Sequence, residues 1–290
     1  MGDTRDKESL RQAVRDQDVV FHLAGAINAP DWKTYHEINA AGTFNLVEAC
    51  LEENPGLGRF VHVSSISAAG PSPRGTALRE EDECRPVSDY GRSKRAAELA
   101  AEVWCDRVPT TVIRPGIVFG PWDRLLLPMF RSIDRLGIHP IPTFAPPPLS
   151  LLHVQDLVEV LVRAAERGTR LVQQSRGASP GAGYYFACSG QHLTYPELGR
   201  MVAQALGRRH VLLLHLVEPL PWLVAGVTEL FARLSRQPVI VNVDKMRESI
   251  QPSWAASPQA IRQQLGFSEA CSLDQRLRQT VDWYREHRWV

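Results

Sequence analysis

Tyr90 and Lys94 stand at positions i and i+4 of a stretch with strong helix signals. Ser88 is a favourable N-cap, and the residues that follow, through position 102, are mostly good helix formers. Residues four apart share one face of a helix, so an ammonium group would lie beside a phenol. A nearby positive charge favours the phenolate form of tyrosine and lowers its pKa. The spacing therefore predicts that Tyr90 moves a proton to or from a hydroxyl group.

Ser65 is a second candidate for the same chemistry. It ends an apolar run over residues 60–65, which is typical of a buried strand. Open α/β sheets bind their ligands at the carboxyl ends of the strands. A tyrosine and a lysine at this spacing also occur in many helices without a catalytic role. The serine at a strand end makes a catalytic set of Ser65, Tyr90 and Lys94 the favoured interpretation.

The elements that must hold these residues alternate between strands and helices. They follow one another as a strand at 18–25, a helix at 32–51, a strand at 60–65, a helix from 88 and a strand at 110–114. This alternation indicates βαβ units, so the fold class is predicted to be α/β with a doubly wound parallel sheet.

The composition excludes several classes of protein. The 290 residues include 33 Lys and Arg against 32 Asp and Glu, and this net charge of +1 gives no reason to expect a nucleic-acid partner. The five scattered cysteines form no C-x-x-C pair, so we expect reduced thiols and no metal site. The first eight residues are too charged for a signal peptide, and a cytoplasmic location is expected.

The order of Ser65, Tyr90 and Lys94 resembles the catalytic triad of the extended short-chain dehydrogenase/reductase superfamily. Further motifs agree with that resemblance along most of the chain. They are Phe21-His22-Leu23-Ala24-Gly25, Asn39-Ala40-Ala41-Gly42-Thr43, Arg114-Pro115-Gly116-Ile117-Val118 and His153-Val154-x-Asp156. The superfamily includes NAD-dependent epimerases and dehydratases and 3β-hydroxysteroid dehydrogenase-like enzymes. The resemblance implies a Rossmann-like fold and a cofactor that is NAD or NADP.

The resemblance also implies a role for single residues. Tyr90 would be the acid/base, Ser65 would orient the substrate oxygen, and Lys94 would hold the cofactor ribose. The serine motif selects Ser65 rather than Ser64. The residues expected to contact or support the cofactor site are Asp3 at the adenine, Leu23, Ala24 and Gly25 along the dinucleotide, Asn39 beside the active site, and Pro115 and Ile117 at the nicotinamide.

One motif of the superfamily is missing from this sequence. No G-x-x-G-x-x-G turn occurs between a strand and a helix, although such a turn normally brings backbone N–H groups to the pyrophosphate. We therefore interpret the fold as N-terminally shortened, which would leave the strand at 18–25 as an apolar edge. A second interpretation is a cofactor-less module that binds or regulates.

The later chain is predicted to divide between two lobes. Residues 1–122 form the shortened dinucleotide-binding core, with 150–190 packing back onto it. Residues 123–149 and 191–290 form a smaller substrate lobe, in which 140–148 have no regular element. The apolar stretch 211–234 is expected to be a buried or lid helix, and a helix lying on a membrane is the less favoured alternative.

The substrate is expected to be a small lipophilic alcohol or ketone, sterol-like in character. Residues 145–152 carry no charge, and residues 125–130 are also apolar. Apolar walls suit hydrophobic ligands. The alternative is a nucleotide sugar, whose diphosphate is usually met by an arginine in this part of the superfamily. The resemblance also allows a homodimer.

Overall fold

The computed structural model describes residues 2–173, 179–216, 219–235 and 243–290. Nine strands lie in this part of the chain. They are β1 (Val19–His22), β2 (Arg59–Val63), β3 (Thr110–Pro115), β4 (Ile117–Phe119), β5 (Ile138–Ile141), β6 (Pro148–His153), β7 (Tyr184–Ala187), β8 (His192–Thr194) and β9 (Leu212–His215).

The helices of the described residues are numbered in the same way. They are α1 (Lys7–Val14), α2 (Trp32–Tyr35), α3 (Gly42–Glu53), α4 (Ile66–Ala69), α5 (Asp89–Glu102), α6 (Leu127–Leu136), α7 (Val154–Arg167), α8 (Tyr195–Ala205), α9 (Leu220–Ser235), α10 (Val243–Ser249), α11 (Gln259–Gln263) and α12 (Leu273–Glu286). A π-helical turn, His36–Ala41, joins α2 to α3.

The main sheet has four parallel strands in the order β1-β2-β3-β7. Successive side chains of a strand face opposite sides, and both sides of β2 are apolar. Phe60 packs with α1, α3 and the end of α5, whereas Val61 packs with α7 and α11. Helices therefore cover both faces of a parallel sheet, as the sequence predicted for the α/β class.

β1 lies at one edge of this sheet within the described residues. The side chains of Phe21 and Leu23 are 41% and 57% exposed. The predicted apolar edge is therefore present in the structure. The predicted shortening of the fold stays a prediction.

Two smaller sheets lie beside the main sheet, and here the sequence predicted less. β4, β6 and β8 form one sheet, and β5 pairs with β9 in the other. The expectation that 140–148 has no regular element is wrong at both ends, because β5 runs to Ile141 and β6 begins at Pro148. Both strands gain partners from segments far away in sequence, which no local pattern reveals.

The stretch 211–234 is not helical throughout, in contrast to its prediction as a buried or lid helix. Its first part forms β9, and only its second part is helical, in α9. Leu223 and Val227 on α9 are about two-thirds exposed. Residues 217 and 218 lie outside the described residues. None of the described helices is both long enough and apolar enough to cross a bilayer.

The division into two lobes stays a prediction. β7 lies within the span 150–190 and joins the main sheet beside β3, so part of that span packs on the core. Residues 174–178 of that span lie outside the described residues.

Candidate active site

The N-terminal end of α5 sets the position of Tyr90. Ser88 is the N-cap, and its Oγ accepts a hydrogen bond of 2.9 Å from Gly91 N. This bond satisfies one of the N–H groups that have no partner inside a helix. Tyr90 and Lys94 then follow on the face of α5 that lines a cleft.

Gly91 lets α5 approach α4 very closely. A Cβ atom at this position would lie 2.4 Å from the carbonyl oxygen of Ser67. Sequence reasoning missed this role. The signal was present, because a glycine inside a run of helix formers costs stability and needs a packing reason.

Ser65 lies at the carboxyl end of β2 and caps α4. Its Oγ accepts a hydrogen bond of 3.1 Å from Ser67 N, and the residue lines the same cleft as Tyr90. Ser64 also borders the cleft, but its Oγ donates a hydrogen bond of 2.6 Å to the buried carboxylate of Glu98. The geometry thus favours Ser65 over Ser64 as the serine of the triad.

The cleft has a volume of about 380 Å³. It brings together Ser65, Tyr90 and Lys94 with four of the residues predicted to contact a cofactor. Those four are Leu23, Gly25, Pro115 and Ile117. The chain after Gly25, from Ala26 to Asn28, also lines the cleft, although the sequence did not single it out.

Lys94 is buried at the bottom of the cleft. Its Nζ donates a hydrogen bond of 2.7 Å to the carbonyl oxygen of Val63, at the end of β2. Burial lowers the pKa of Lys94 to about 8, although the carboxylate of Glu98 opposes that shift. The buried ammonium therefore loses its proton within the pH range of ordinary assays.

The pKa of Tyr90 differs from its prediction. Burial raises this pKa above its usual value, and the charge of Lys245 and the hydroxyl of Ser65 lower it only in part. The expected net depression by Lys94 is therefore wrong for this arrangement. The ammonium of Lys94 is directed at the Val63 carbonyl instead.

Asn39 lies in the π-helical turn and supports the cleft from behind. Its Oδ1 accepts from Ala26 N at 2.7 Å, and its Nδ2 donates to Ala26 O at 3.0 Å and to Ser93 Oγ at 2.8 Å. All of these polar contacts are to the protein, and the residue does not line the cleft. Asn39 therefore fixes the loop after Gly25 rather than presenting its amide to a ligand.

Asp3 and Ala24 are not among the residues that line this cleft. The carboxylate of Asp3 forms an ion pair of 2.6 Å with Arg5, and the hydrogen bond from Arg5 lowers the pKa of Asp3 to about 2. Ala24 is exposed and lies between Leu23 and Gly25, which do line the cleft. The contacts of Asp3 with the adenine and of Ala24 with the dinucleotide stay predictions.

Helix α10 is the part of the site that sequence reasoning missed completely. Asp244 Oδ1 accepts from Asp89 N at 2.7 Å, and its Oδ2 accepts from Tyr90 N at 3.1 Å. Glu248 Oε1 accepts from Ser88 Oγ at 2.7 Å. No pattern along the chain links α10 to α5, because the contact arises only from the tertiary fold.

An apolar cavity of about 280 Å³ adjoins the cleft. Ile66, Ser67, Ile117, Lys245 and Glu248 line both spaces. The remaining wall is formed mostly by proline, aliphatic and aromatic residues: Pro142, Pro146, Pro147, Leu149, Tyr195 and Trp254. Bulky apolar molecules would fit such a wall.

The cleft fits the nicotinamide and ribose part of a dinucleotide. Gly25 lets the backbone at the cleft pass close to Asn39 and Lys94, because a Cβ atom at this position would lie 3.0 Å from Asn39 Oδ1 and 3.7 Å from Lys94 Nζ. No turn in the sequence matches the pyrophosphate-binding motif. Gly58 leads directly into β2, and Gly183 leads into β7, so neither begins a helix.

Comparison with known proteins places these features in a family. The model of the NAD dependent epimerase/dehydratase family matches residues 1–175. The ceramide reductase of Caulobacter vibrioides is 25% identical over 290 residues, which cover 100% of this chain and 81% of that protein. The UDP-glucose 4-epimerase of Vibrio cholerae is 30% identical over 173 residues, 56% of this chain and about half (52%) of the relative.

Solved structures give the same fold. The structure of RMD from Pseudomonas aeruginosa complexed with NADPH matches with a TM-score of 0.76 at 21% identity. The match covers 99% of this chain and 88% of that one. The predicted Rossmann-like fold is thereby confirmed. Together with the family model, which spans more than half of the sequence, these findings show that the chain belongs to the NAD-dependent epimerase/dehydratase family of enzymes.

Proposed function

We propose that this chain is an NAD(P)-dependent oxidoreductase that acts on a hydroxyl or ketone of a small lipophilic substrate. The observation that carries the proposal is the shared wall between two spaces. The cleft with Ser65, Tyr90 and Lys94 adjoins the apolar cavity, and Ile66 and Ile117 line both. An apolar molecule in the cavity could therefore present an oxygen to the triad.

Each polar side chain of the triad has a distinct task in this proposal. Tyr90 exchanges the proton of the substrate oxygen at its Oη. Ser65 Oγ hydrogen-bonds the same oxygen and orients it. Lys94 Nζ supplies a donor and a positive charge at the bottom of the cleft. The nicotinamide, when bound, supplies the hydride chemistry, and the protein supplies orientation and charge.

The protonation state of Tyr90 decides whether its phenol first donates or first accepts a proton. Because burial raises its pKa, the phenol is protonated at neutral pH and is ready to donate to a ketone oxygen. Removal of a proton from an alcohol requires added positive charge near the ring. The chain offers two such charges at the cleft, Lys94 and Lys245.

The apolar wall supports a lipophilic substrate. Three prolines and Trp254 line the cavity, and no arginine lies among its described lining residues. A ceramide reductase is among the relatives that align over this whole chain. A nucleotide sugar is the second candidate, and it is supported by the UDP-glucose 4-epimerase relative, although that match covers about half of each protein.

Cofactor binding is the first step to test. We propose that Leu23, Gly25, Lys94, Pro115 and Ile117 hold the nicotinamide and ribose. The measurement is a titration of the purified chain with NADH and NADPH, followed by melting temperature. A ligand at a hundredfold excess over its Kd stabilises the folded state by about 2.7 kcal/mol. Lys94→Met, which removes the ribose-binding ammonium, is the variant expected to weaken the shift.

Substrate choice is tested next with the cofactor that binds. Sterol and ceramide-type ketones are compared with UDP-sugars in the same assay. Turnover of the lipids alone supports the proposal, and turnover of UDP-sugars alone replaces it with the second candidate. A chain with no thermal shift from either cofactor would favour the interpretation as a binding module without a cofactor.

A further inference from the structure

Helix α10 meets the N-terminal end of α5, where the chain needs hydrogen-bond acceptors. The first N–H groups of a helix have no acceptor inside that helix. Both carboxylate oxygens of Asp244 accept bonds from this end, from Asp89 N and Tyr90 N. Glu248 accepts from the capping hydroxyl of Ser88. These three bonds set the position of α10 relative to Tyr90.

Lys245 lies between those two acidic residues and faces the ring of Tyr90. Its Nζ is 4.9 Å from the centroid of that ring and 3.0 Å from Glu248 Oε2. A cation within about 6 Å of an aromatic face is attracted to the ring, and more strongly to a phenolate than to a phenol. Lys245 also lines both the triad cleft and the apolar cavity.

We propose that Lys245 is a positioning residue that acts through Tyr90, holding the ring in place and stabilising its phenolate form. This inference rests on the proposed role of Tyr90 as the acid/base. The ammonium of Lys94 donates to the Val63 carbonyl, and Lys94 is not among the groups that shift the pKa of Tyr90 in this arrangement. The charge on α10 thus supplements the charge on α5.

The other described groups around the ring of Tyr90 do not supply the positive charge that Lys245 brings to it. On α10, Asp244 and Glu248 are acidic, and Glu248 raises the pKa of Tyr90. On α2, the neutral ring of Tyr35 lies 6.0 Å from that of Tyr90. On α5, the carboxylate of Asp89 pairs with Arg92 at 2.5 Å. Burial has the largest effect on the pKa of Tyr90. Lys245 has the next largest effect, and it lowers this pKa.

The test measures the ionisation of Tyr90 directly. 3-Fluorotyrosine is incorporated at position 90, because fluorine lowers the intrinsic pKa of the phenol into a range where the folded protein can be titrated. The fluorine NMR shift is then followed against pH in the otherwise native chain and in Lys245→Met, Lys245→Arg and Lys33→Met. Lys33 is an exposed helical lysine, paired only at 3.7 Å with Glu37, and serves as the matched control.

Loss of the ammonium should raise the midpoint of the phenol titration by about one unit or more in Lys245→Met. Lys245→Arg should restore most of that shift, because it keeps the positive charge. Lys33→Met should leave the midpoint unchanged. A purely structural role would instead lower the melting temperature of Lys245→Met and Lys245→Arg alike without a charge-dependent midpoint.

The proposal is overturned if Lys245→Met stays folded and its midpoint moves by less than about 0.3 unit. It is also overturned if Lys245→Arg shifts the midpoint as far as Lys245→Met does. The titration uses neither cofactor nor substrate. Failure of the proposed enzyme function, seen as absence of NADH or NADPH binding, is therefore distinguishable from failure of this inference.

Discussion

At the scale of single residues, the hydroxyl of Tyr90 is the group on which the proposed chemistry depends. Tyr90→Phe removes the proton donor and leaves the ring, so kcat should fall by about a hundredfold or more. Binding of NADH or NADPH, measured by fluorescence titration, should change little. Tyr35→Phe is the matched control, because Tyr35 lies beside Tyr90 but its hydroxyl donates to Ile27 O. Normal turnover in Tyr90→Phe would remove Tyr90 from this role.

The sequence predicted that Ser65, Tyr90 and Lys94 lie together, but it did not predict their electrostatics. Spacing on a helix and position at a strand end are local properties, and the structure places the three residues in one cleft. Their catalytic roles stay predictions. The pKa of Tyr90 depends on burial and on Lys245, which lies far away along the chain.

At the scale of elements, Gly91 decides how closely α5 approaches α4. Gly91→Ala would place a Cβ atom 2.4 Å from Ser67 O, so the two helices must separate. We expect the free energy of unfolding to fall by about 1–3 kcal/mol and kcat to fall with it, because Tyr90 moves relative to Ser65. Urea denaturation and steady-state kinetics check the two effects.

Gly226 provides the matched control for that substitution. It lies inside α9, and a Cβ atom there would meet nothing within 4 Å. Gly226→Ala should stabilise the protein by up to about 1 kcal/mol through helix propensity alone. Equal effects of the two substitutions would contradict the role assigned to Gly91.

A buried ion pair fixes the other side of α5 to the main sheet. Glu98 is fully buried and accepts bonds of 2.8 Å from both Nε and Nη2 of Arg114, which is 2% exposed. Burial alone would raise the pKa of Glu98, but Arg114, Arg95 and Ser64 together outweigh it and the net direction is downward. Glu98→Gln leaves Arg114 without its counter-charge and should cost about 3 kcal/mol or more.

Urea denaturation of Glu98→Gln alongside Glu83→Gln tests this expectation. Glu83 pairs with Arg85 at 2.7 Å, but both side chains are largely exposed, so that substitution should change stability by less than about 0.5 kcal/mol. Comparable losses in the two variants would show that burial of the Glu98 pair is not what stabilises α5.

Elements were predictable where one segment carries its own signal. The helix α5 and the strands β2 and β3 were found from capping residues and apolar runs. The short strands β5 and β9 were missed because each is stabilised by pairing with a distant segment rather than by its own pattern. The π-helical turn that orients Asn39 was missed for a different reason, because helix periodicity is almost unchanged across it.

At the scale of the whole molecule, buried histidines make stability depend on pH. Burial lowers the pKa of His22 to about 3 and that of His153 to about 4, and it lowers the pKa of His62 well below the usual value. The unfolded chain binds protons near pH 6.5 that the folded chain excludes. Stability should therefore fall as pH drops below about 6.5, by up to about 1.4 kcal/mol per unit for each histidine.

Urea denaturation between pH 7.5 and 5 measures this slope. His62 is the most informative site, because neither of its ring nitrogens has a hydrogen-bond partner among the described residues. His62→Leu should flatten the slope, whereas His210→Leu at an exposed position should not. An unchanged slope in His62→Leu would assign the acid sensitivity to other groups.

The whole-molecule architecture followed from the alternation of strands and helices, but assembly beyond one chain did not. The parallel sheet with helices on both faces was predictable because the apolar runs are long and regular. A homodimer stays a prediction from resemblance. The arrangement of the predicted substrate lobe around the cleft depends on contacts between distant segments, which a single sequence does not reveal.

The bonds between α10 and the start of α5 connect residues that are 154 to 160 positions apart. During synthesis, N-terminal segments leave the ribosome and begin to fold before the rest of the chain exists. The helix that holds Tyr90 can therefore form early, yet its first turn receives its acceptors only after residue 248 has emerged. The nascent chain therefore does not contain the complete set of contacts around Tyr90 until α10 has been synthesised.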